Sequence, residues 1–513
     1  MHTSRGQRRL RSTIHEKPRR VAGALTVAAA VVAALAGGPA GAQQATTTSA
    51  NAAPELQEIV VTGSLIKRTD TETPSPVQVI SAEDIKNTGY TNVSDVLRTL
   101  SANGSGTLNQ SFGQAFAAGA SGIALRGLSV GDTLTLIDGE RMVAYPLSDD
   151  GERSFVDVTA IPINAVEGID VLKDGASATY GADAIAGVVN IKLRKTYVGS
   201  EFTVEGGTTQ HGDGTTEHGN GIWGMGDLAS DGYNVYVAVD WHHTDKILGS
   251  SRSDEAFATT NWSALPGGVN TQPGAVGSSG LTYPDSVTGY LVSPSGPNAG
   301  AVTGYLPGCT AAKQAADQCT FAFPGTLQSP TTQINVLSKF TKALANDWTF
   351  TVTGSVFDSS AQQIAATSFG HAFNNTGQEA GSITNITFSP GTLAGTVVYP
   401  VLSLPGSSPL VKAAGLTGTQ NLVYSFPDIG PEQVDVDTIT YRLFGDLHGT
   451  AAGWDLDSQV GVMYASMTQK IYGLILPAVA QADLNSGAYV PGVSTNGQQL
   501  FAPEESDHPS STL

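Results

Sequence analysis

From Tyr197 onward, apolar and polar residues alternate with a period of two. Tyr233, Val235, Val237, Val239 and Trp241 share one face. Trp348, Phe350, Val352, Gly354 and Val356 share another, with Thr349, Thr351, Thr353 and Ser355 opposite. Trp454, Leu456, Val460, Val462 and Tyr464 make a third. This period predicts strands over 198–209, 217–226, 232–243, 333–342, 347–357, 435–447 and 453–467. One apolar face, one small or polar face and aromatics near the ends is the pattern of strands that face lipid, although a strand of a soluble sandwich reads the same in isolation. The connections separate the two readings. Those at 227–231, 343–346 and 448–452 are short, whereas 244–332 and 358–434 are very long. Short turns on one side and long loops on the other fit a membrane barrel, and compact soluble domains rarely carry loops of that size.

The chain before Tyr197 has a different rhythm. Pro76 to Ile80 is a short strand. Ser81-Ala-Glu-Asp84 opens a helix as a capping box, with Ile85 buried and Gly89 as the stop. Asn92 caps a second helix whose Val93, Val96, Leu97 and Leu100 fall on one face. Residues 101–122 are rich in Gly, Ser and Ala and read as loop. Ile123–Gly127 and Thr133–Ile137 are predicted strands, the second turning at Asp138 and Gly139. Val166 to Lys195 follows as a strand, a region of small residues and a second strand, Val188–Leu193. Together these make a mixed α/β module.

Composition changes this picture in three ways. Charged residues are only 14 % of the chain, yet apolar residues reach just 40 %, too few for a helical membrane protein, and no later run offers 18 consecutive apolar residues. The net charge of −19 argues against nucleic acid as a partner. The N-terminus has a basic region (Arg5, Arg8, Arg9, Arg11, Lys17, Arg19 and Arg20), an apolar run from Val21 to Leu35, and the small-x-small site Ala40-Gly41-Ala42. These define a signal peptide over 1–42, with a membrane anchor as the other reading of the same run. In an exported chain, the two cysteines Cys309 and Cys319 read as a disulfide closing a loop, with two free thiols as the alternative.

Candidate chemistry is thin. Ser64-Leu-Ile-Lys67 has the S-x-x-K spacing of some acyl-enzyme hydrolases but follows Gly63 in an extended region, without the companion motifs. Gly219-Asn-Gly-Ile-Trp-Gly224 matches G-x-G-x-x-G but lies within a β-hairpin, not between a strand and a helix. His211, His218, His242 and His243 fall near the outer ends of strands. Without convergent spacing they read as solvated rim residues, so no metal site is expected. No motif supports an enzyme, and no cofactor is implied. Glu58-Ile59-Val60-Val61-Thr62, beside the Ala/Thr/Ser-rich linker 43–54, suits either strand addition to a partner's sheet edge or an edge strand of the next domain.

These stretches carry a resemblance. Glu58–Thr62 resembles the TonB box of TonB-dependent outer-membrane receptors. Ile123-Ala-Leu-Arg126-Gly and Leu136-Ile-Asp138-Gly139-Glu-Arg141 resemble two plug motifs. Val166 to Leu193 resembles the motif that closes the plug, with Tyr180-Gly181, Gly187 and Val188-Val-Asn190-Ile. Lys173-Asp174 departs from the Arg-Gly found in many members. The resemblance implies an α+β plug followed by a transmembrane antiparallel β-barrel of about 22 strands. It divides the chain into the signal peptide 1–42, a linker with the TonB box over 43–69, the plug over 70–195 and barrel over 196–513. It further implies TonB as partner, outer-membrane lipid as surroundings, a monomer, and Arg126 and Arg141 as candidate latches that pair with barrel carboxylates, with a structural salt bridge of the plug as the other reading of each.

Active uptake of a scarce ligand, of the ferric siderophore, cobalamin or oligosaccharide class, is the expected function. A surface-exposed binding or adhesion barrel with a passive plug is the alternative. Only seven strands are read against the number implied, and Asp507 to Leu513 is loop-like, so the expectation is an N-terminal portion of a barrel, ending inside an extracellular loop.

Overall fold

The computed structural model describes residues 77–104, 106–110, 117–149, 152–252, 290–294, 302–305, 326–365, 402–423, 432–472 and 477–491. The signal peptide, Glu58–Thr62, and Cys309 with Cys319 lie outside the described residues.

The first module is a five-stranded sheet in the order β1-β4-β5-β2-β3. β1 (Val77–Ser81) pairs antiparallel with β4 (Val166–Leu172), and β4 antiparallel with β5 (Gly187–Leu193). β5 runs parallel to β2 (Thr133–Ile137), which turns back into β3 (Glu140–Arg141). Asp138 (φ 52°) and Gly139 (φ 85°) form that turn. Two consecutive positive φ values match the twist of a tight hairpin, and an Asp-Gly pair tolerates them.

Helix α1 (Ala82–Thr88) starts where the sequence places it. The Ser81 hydroxyl accepts from the Asp84 N–H at 3.1 Å, and the Asp84 carboxylate accepts from the Ser81 N–H at 3.0 Å. Helix α2 (Val93–Arg98) is capped by Asn92, and its Val93, Val96 and Leu97 enter the core with Leu100. Ile123–Gly127 is not a regular strand. Leu125 makes one isolated bridge to Asn103, after which Arg126 (φ 57°) and Gly127 (φ 71°) turn the chain in the left-handed region before a ladder extends. The small-residue stretch between β4 and β5 contains the one-turn helix α3 (Ser177–Tyr180). Gly187 has φ 139°, and a Cβ there would collide with the Leu172 carbonyl oxygen and the Leu125 side chain. Only glycine lets β5 start beside β4.

A seven-stranded antiparallel wall follows, beginning with β6 (Gly199–Gly207), β7 (Thr216–Met225) and β8 (Tyr233–Thr244). The long connection after β8 contains β9 (Ile247–Leu248), β10 (Tyr290–Val292), β11 (Val302–Tyr305) and β12 (Thr326–Gln328), of which β9 and β12 pair with each other. The wall resumes with β13 (Thr331–Ala343) on β8, and β14 (Thr349–Ala365) on β13. After β15 (Ser403–Leu404) and β16 (Gln420–Val423) it ends with β17 (Glu432–Ala451) and β18 (Trp454–Tyr472). Among the described residues β6 and β18 are not paired, so the wall is an open arc.

Every strand read from the alternation is present. The last turn is tighter than the sequence suggests. Ala451 pairs with Trp454, so most of 448–452 belongs to β17, and only Ala452 (φ 53°) and Gly453 (φ 80°) turn.

The alternation is inside-out. On β8, Val239 and Trp241 are exposed on the outer face, whereas Asn234, Tyr236, Ala238 and Asp240 are buried. Trp454, Leu456, Val460, Val462 and Tyr464 are all exposed. A wall whose outward residues are apolar and whose buried residues are polar suits lipid outside and a polar filling within. No described helix is long and apolar enough to cross a membrane.

The long connections are not featureless. Parts of two of them meet in a four-stranded sheet in the order β11-β10-β16-β15. Helix α4 (Pro409–Ala413) and helix α5 (Pro477–Ser486) supply residues to its core, where Leu291, Leu404, Val411, Leu422, Ala480 and Leu484 are buried together. Each segment alone has too little apolar surface to fold; pooled, they make a small core of their own.

Candidate functional site at the seam between module and wall

The inner face of the wall meets the first module through a seam that is largely polar. Two small apolar contacts run through it: Ile222, Tyr236, Ala238 and Leu337 of the wall join the module's main core, and Ala118 of the module packs with Ala361, Val434 and Val436 of the wall. Polar contacts lie around these patches.

Strand β13 supplies most of them, because Thr331, Gln333, Asn335, Lys339 and Thr341 alternate onto its buried face. Gln333 donates its amide to the Gly119 carbonyl at 3.1 Å and accepts from Gln110 at 3.0 Å. Asn335 donates to the Thr159 carbonyl at 2.9 Å. Lys339 Nζ lies 3.1 Å from Asp138 Oδ2 at the tip of the β2–β3 turn. The other Asp138 oxygen accepts from the Leu193 N–H at 2.8 Å, while the Asn190 side chain accepts from the Gly139 N–H at 2.9 Å. The turn is thus fastened to β5 on one side and to the wall on the other.

Further along, the Tyr236 hydroxyl donates to the Arg194 carbonyl at 2.9 Å, and Asn164 donates to the Val239 carbonyl at 3.3 Å. The Tyr145 hydroxyl sits 3.2 Å from Thr438 Oγ1 of β17. Arg442, also on β17, is buried with its guanidinium 4.3 Å from the Phe444 ring centre, and its charge acts on Asp138 and Glu140. Burial lifts the Glu140 carboxyl above the usual range, against the pull of Arg442, with Asp457 and Asp138 pushing the same way.

Asp157 is a buried acid on the module side. Its Oδ1 accepts from the Ser121 N–H at 3.1 Å, the Thr159 N–H at 3.0 Å and the Thr159 hydroxyl at 2.7 Å. Burial pushes its carboxyl up to about 6 despite these donors.

The two arginines expected to pair with barrel carboxylates have other partners. Arg126 Nε donates to the Ala186 carbonyl at 3.0 Å, and its Nη2 to the Ile185 carbonyl. Arg141 Nη1 pairs with Asp183, and its Nη2 with the Tyr180 carbonyl. Both bond within the module, to the Tyr180–Ala186 segment between β4 and β5. Asp138 with Lys339, and Lys86 with Glu201 at 3.1 Å, form ion pairs to the wall instead. Asp138, Gly139 and Asn190 come together, as do Arg141 and Tyr180 beside Gly181.

Sequence reading missed Gln333, Asn335, Lys339, Thr438 and Arg442. The signal for them lies in the polar half of the strand period in β13 and β17.

Residues 69–188 match the family model described as the TonB-dependent Receptor Plug Domain. The first module is therefore a plug domain of the kind found in TonB-dependent receptors, and a wall of antiparallel strands follows it. Similar solved structures include a mutant of the ferric enterobactin receptor PfeA from Pseudomonas aeruginosa, at 16 % identity over 78 % of this chain and 46 % of that one, with a TM-score of 0.36. The siderophore receptor PirA from Acinetobacter baumannii is similar at 14 % identity over 77 % of this chain and 48 % of that one, with a TM-score of 0.30. The FpvAI–pyocin S2 complex matches at 14 % identity over 78 % of this chain and 42 % of that one, with a TM-score of 0.37. The chain spans about half the length of these structures.

Proposed function

We propose that the chain acts as a TonB-dependent receptor of the outer membrane, taking up a scarce ligand at the expense of the proton gradient. The ligand belongs to the ferric siderophore, cobalamin or oligosaccharide class. In this reading 1–42 is removed on export, 43–69 carries the energy-coupling segment, 70–195 is the plug and 196–513 contributes barrel. TonB adds Glu58–Thr62 as a strand to its own sheet and pulls.

The observation that carries the reading is the seam. The plug has its own sheet, yet it meets the wall through separable hydrogen bonds, the Asp138–Lys339 and Lys86–Glu201 pairs and small apolar contacts. Contacts of this kind hold a plug at rest and release it one by one under load. In a chain lacking residues 55–63, ligand binding at the cell surface persists and uptake falls to background. Uptake that survives the deletion overturns the reading.

The sheet pooled from the long connections favours a second reading, a surface-exposed binding protein with a passive plug. A protonophore separates the two: it abolishes uptake in the first and leaves surface binding unchanged in both.

A further inference from the structure

The histidines expected to be solvated at the rim are split by the strand register. His243 points outward, where its ring stacks on Trp241 and bonds Thr332. His218 and His242 point inward and face each other across the β7–β8 pair, with Asp240 two residues before His242 on the same face. His218 is only 3 % exposed, so it is buried, and the two imidazole centres lie 5.1 Å apart.

The His218 Nε2 is 3.1 Å from Asp240 Oδ2. Nδ1 of His218 and Nδ1 of His242 are both buried without a hydrogen-bond partner. A buried polar atom without a partner is costly, and two in one cluster ask for a ligand. One donor atom from each of His218, Asp240 and His242 falls within 4.8 Å of the others. Tetrahedral ligation at ~2.1 Å places donors about 3.4 Å apart, which side-chain rotation toward a shared centre supplies.

The cluster opens into a cavity of about 360 Å³ between the wall and the plug. Asn92, Asp95 and Arg98 line it from the plug, and Glu205, Thr244 and Thr331 from the wall. The carboxylates Asp95 and Glu205 line the same cavity and lend it negative charge.

We propose that His218, Asp240 and His242 bind a divalent first-row transition-metal ion, leaving a coordination position open to this cavity. Two imidazoles with one carboxylate suit such an ion better than calcium or magnesium, which prefer all-oxygen cages. The ion joins β7 to β8 beside the first turn of the plug's second helix. The site is independent of the uptake reading, and its test measures no uptake.

The test is a titration of the full chain in detergent micelles, stripped with a chelator, using Co(II) as the spectroscopic probe and Zn(II) as the competitor. The expected result is saturable binding of about one equivalent, with visible absorption from an N/O-ligated Co(II) site that Zn(II) abolishes. His218→Gln and His242→Gln each weaken binding at least about 10-fold, Asp240→Asn weakens it too, and His211→Gln and His243→Gln leave it unchanged. Binding that is not saturable, that survives in H218Q and H242Q, or that is lost in H211Q or H243Q overturns the proposal. X-ray absorption of the Zn(II)-loaded unsubstituted chain needs no variant to fold. Scattering from two imidazoles supports the site, and its absence refutes it.

Discussion

Lys339 of the wall reaches Asp138 of the plug at 3.1 Å, and the same carboxylate accepts from the Leu193 backbone at 2.8 Å. One side chain thereby joins the turn of a plug motif to the strand of another and to the barrel. Lys339 is nearly buried, whereas Asp138 keeps about a third of its side chain open.

Removing the ammonium leaves Asp138 facing a buried gap. Lys339→Met is expected to loosen the plug by roughly 1–3 kcal/mol, less than a fully buried pair because solvent screens part of the attraction. A double-mutant cycle with Asp138→Asn, read by denaturant unfolding of the plug, checks this. Additive effects would show that the two groups are uncoupled.

Gly187 admits no Cβ. Gly187→Ala combines a positive φ with overlap against the Leu172 carbonyl and is expected to destabilise the plug by about 2–5 kcal/mol. A shift in the denaturation midpoint measures it; Gly139→Ala, where space is open, should cost less, through φ alone.

Asp157 gives the plug a specific pH dependence. Its folded value of about 6 lies above the unfolded carboxylate value near 3.9, so the folded state holds the proton more tightly. Stability is therefore fully present below about pH 4 and falls as pH rises through about 6, by up to ~3 kcal/mol from this group. Thermal melts between pH 4 and 7 should show this slope, and Asp157→Asn should flatten it. An unchanged slope in the variant would assign the effect to other acids.

The outward apolar face of the wall predicts sensitivity to charge. Val239→Arg is expected to destabilise the chain in lipid vesicles by about 2–4 kcal/mol if the position lies near the midplane. Folding yield into vesicles, followed by heat-modified mobility on gels, reports it. A change of equal size in the inward Thr341→Arg would indicate a packing effect instead of a lipid one.

Much of the architecture was legible because it rests on local rules. Ser81 with Asp84, Asn92 and Gly89 fix the ends of two helices through caps that involve at most four neighbouring residues. The wall strands were legible because a period of two is the geometry of a strand. Ile123–Gly127 failed because its β-like composition is overridden by two left-handed residues that nothing in its own pattern requires.

The sequence by itself determined the element types, the strand set and the likeness of the plug motifs, since caps, periods and glycine turns act over a few residues. Only the tertiary structure decided which residues meet. It turned Arg126 and Arg141 into bonds within the plug and gave the wall contact to Asp138 and Lys339, some 200 positions apart. It also brought His218, Asp240 and His242 together on the inner face of the wall. Register is the physical reason: a shift of one residue along β7 or β8 would send these side chains to the outer side of the wall, and no local pattern reports which strand lies beside which.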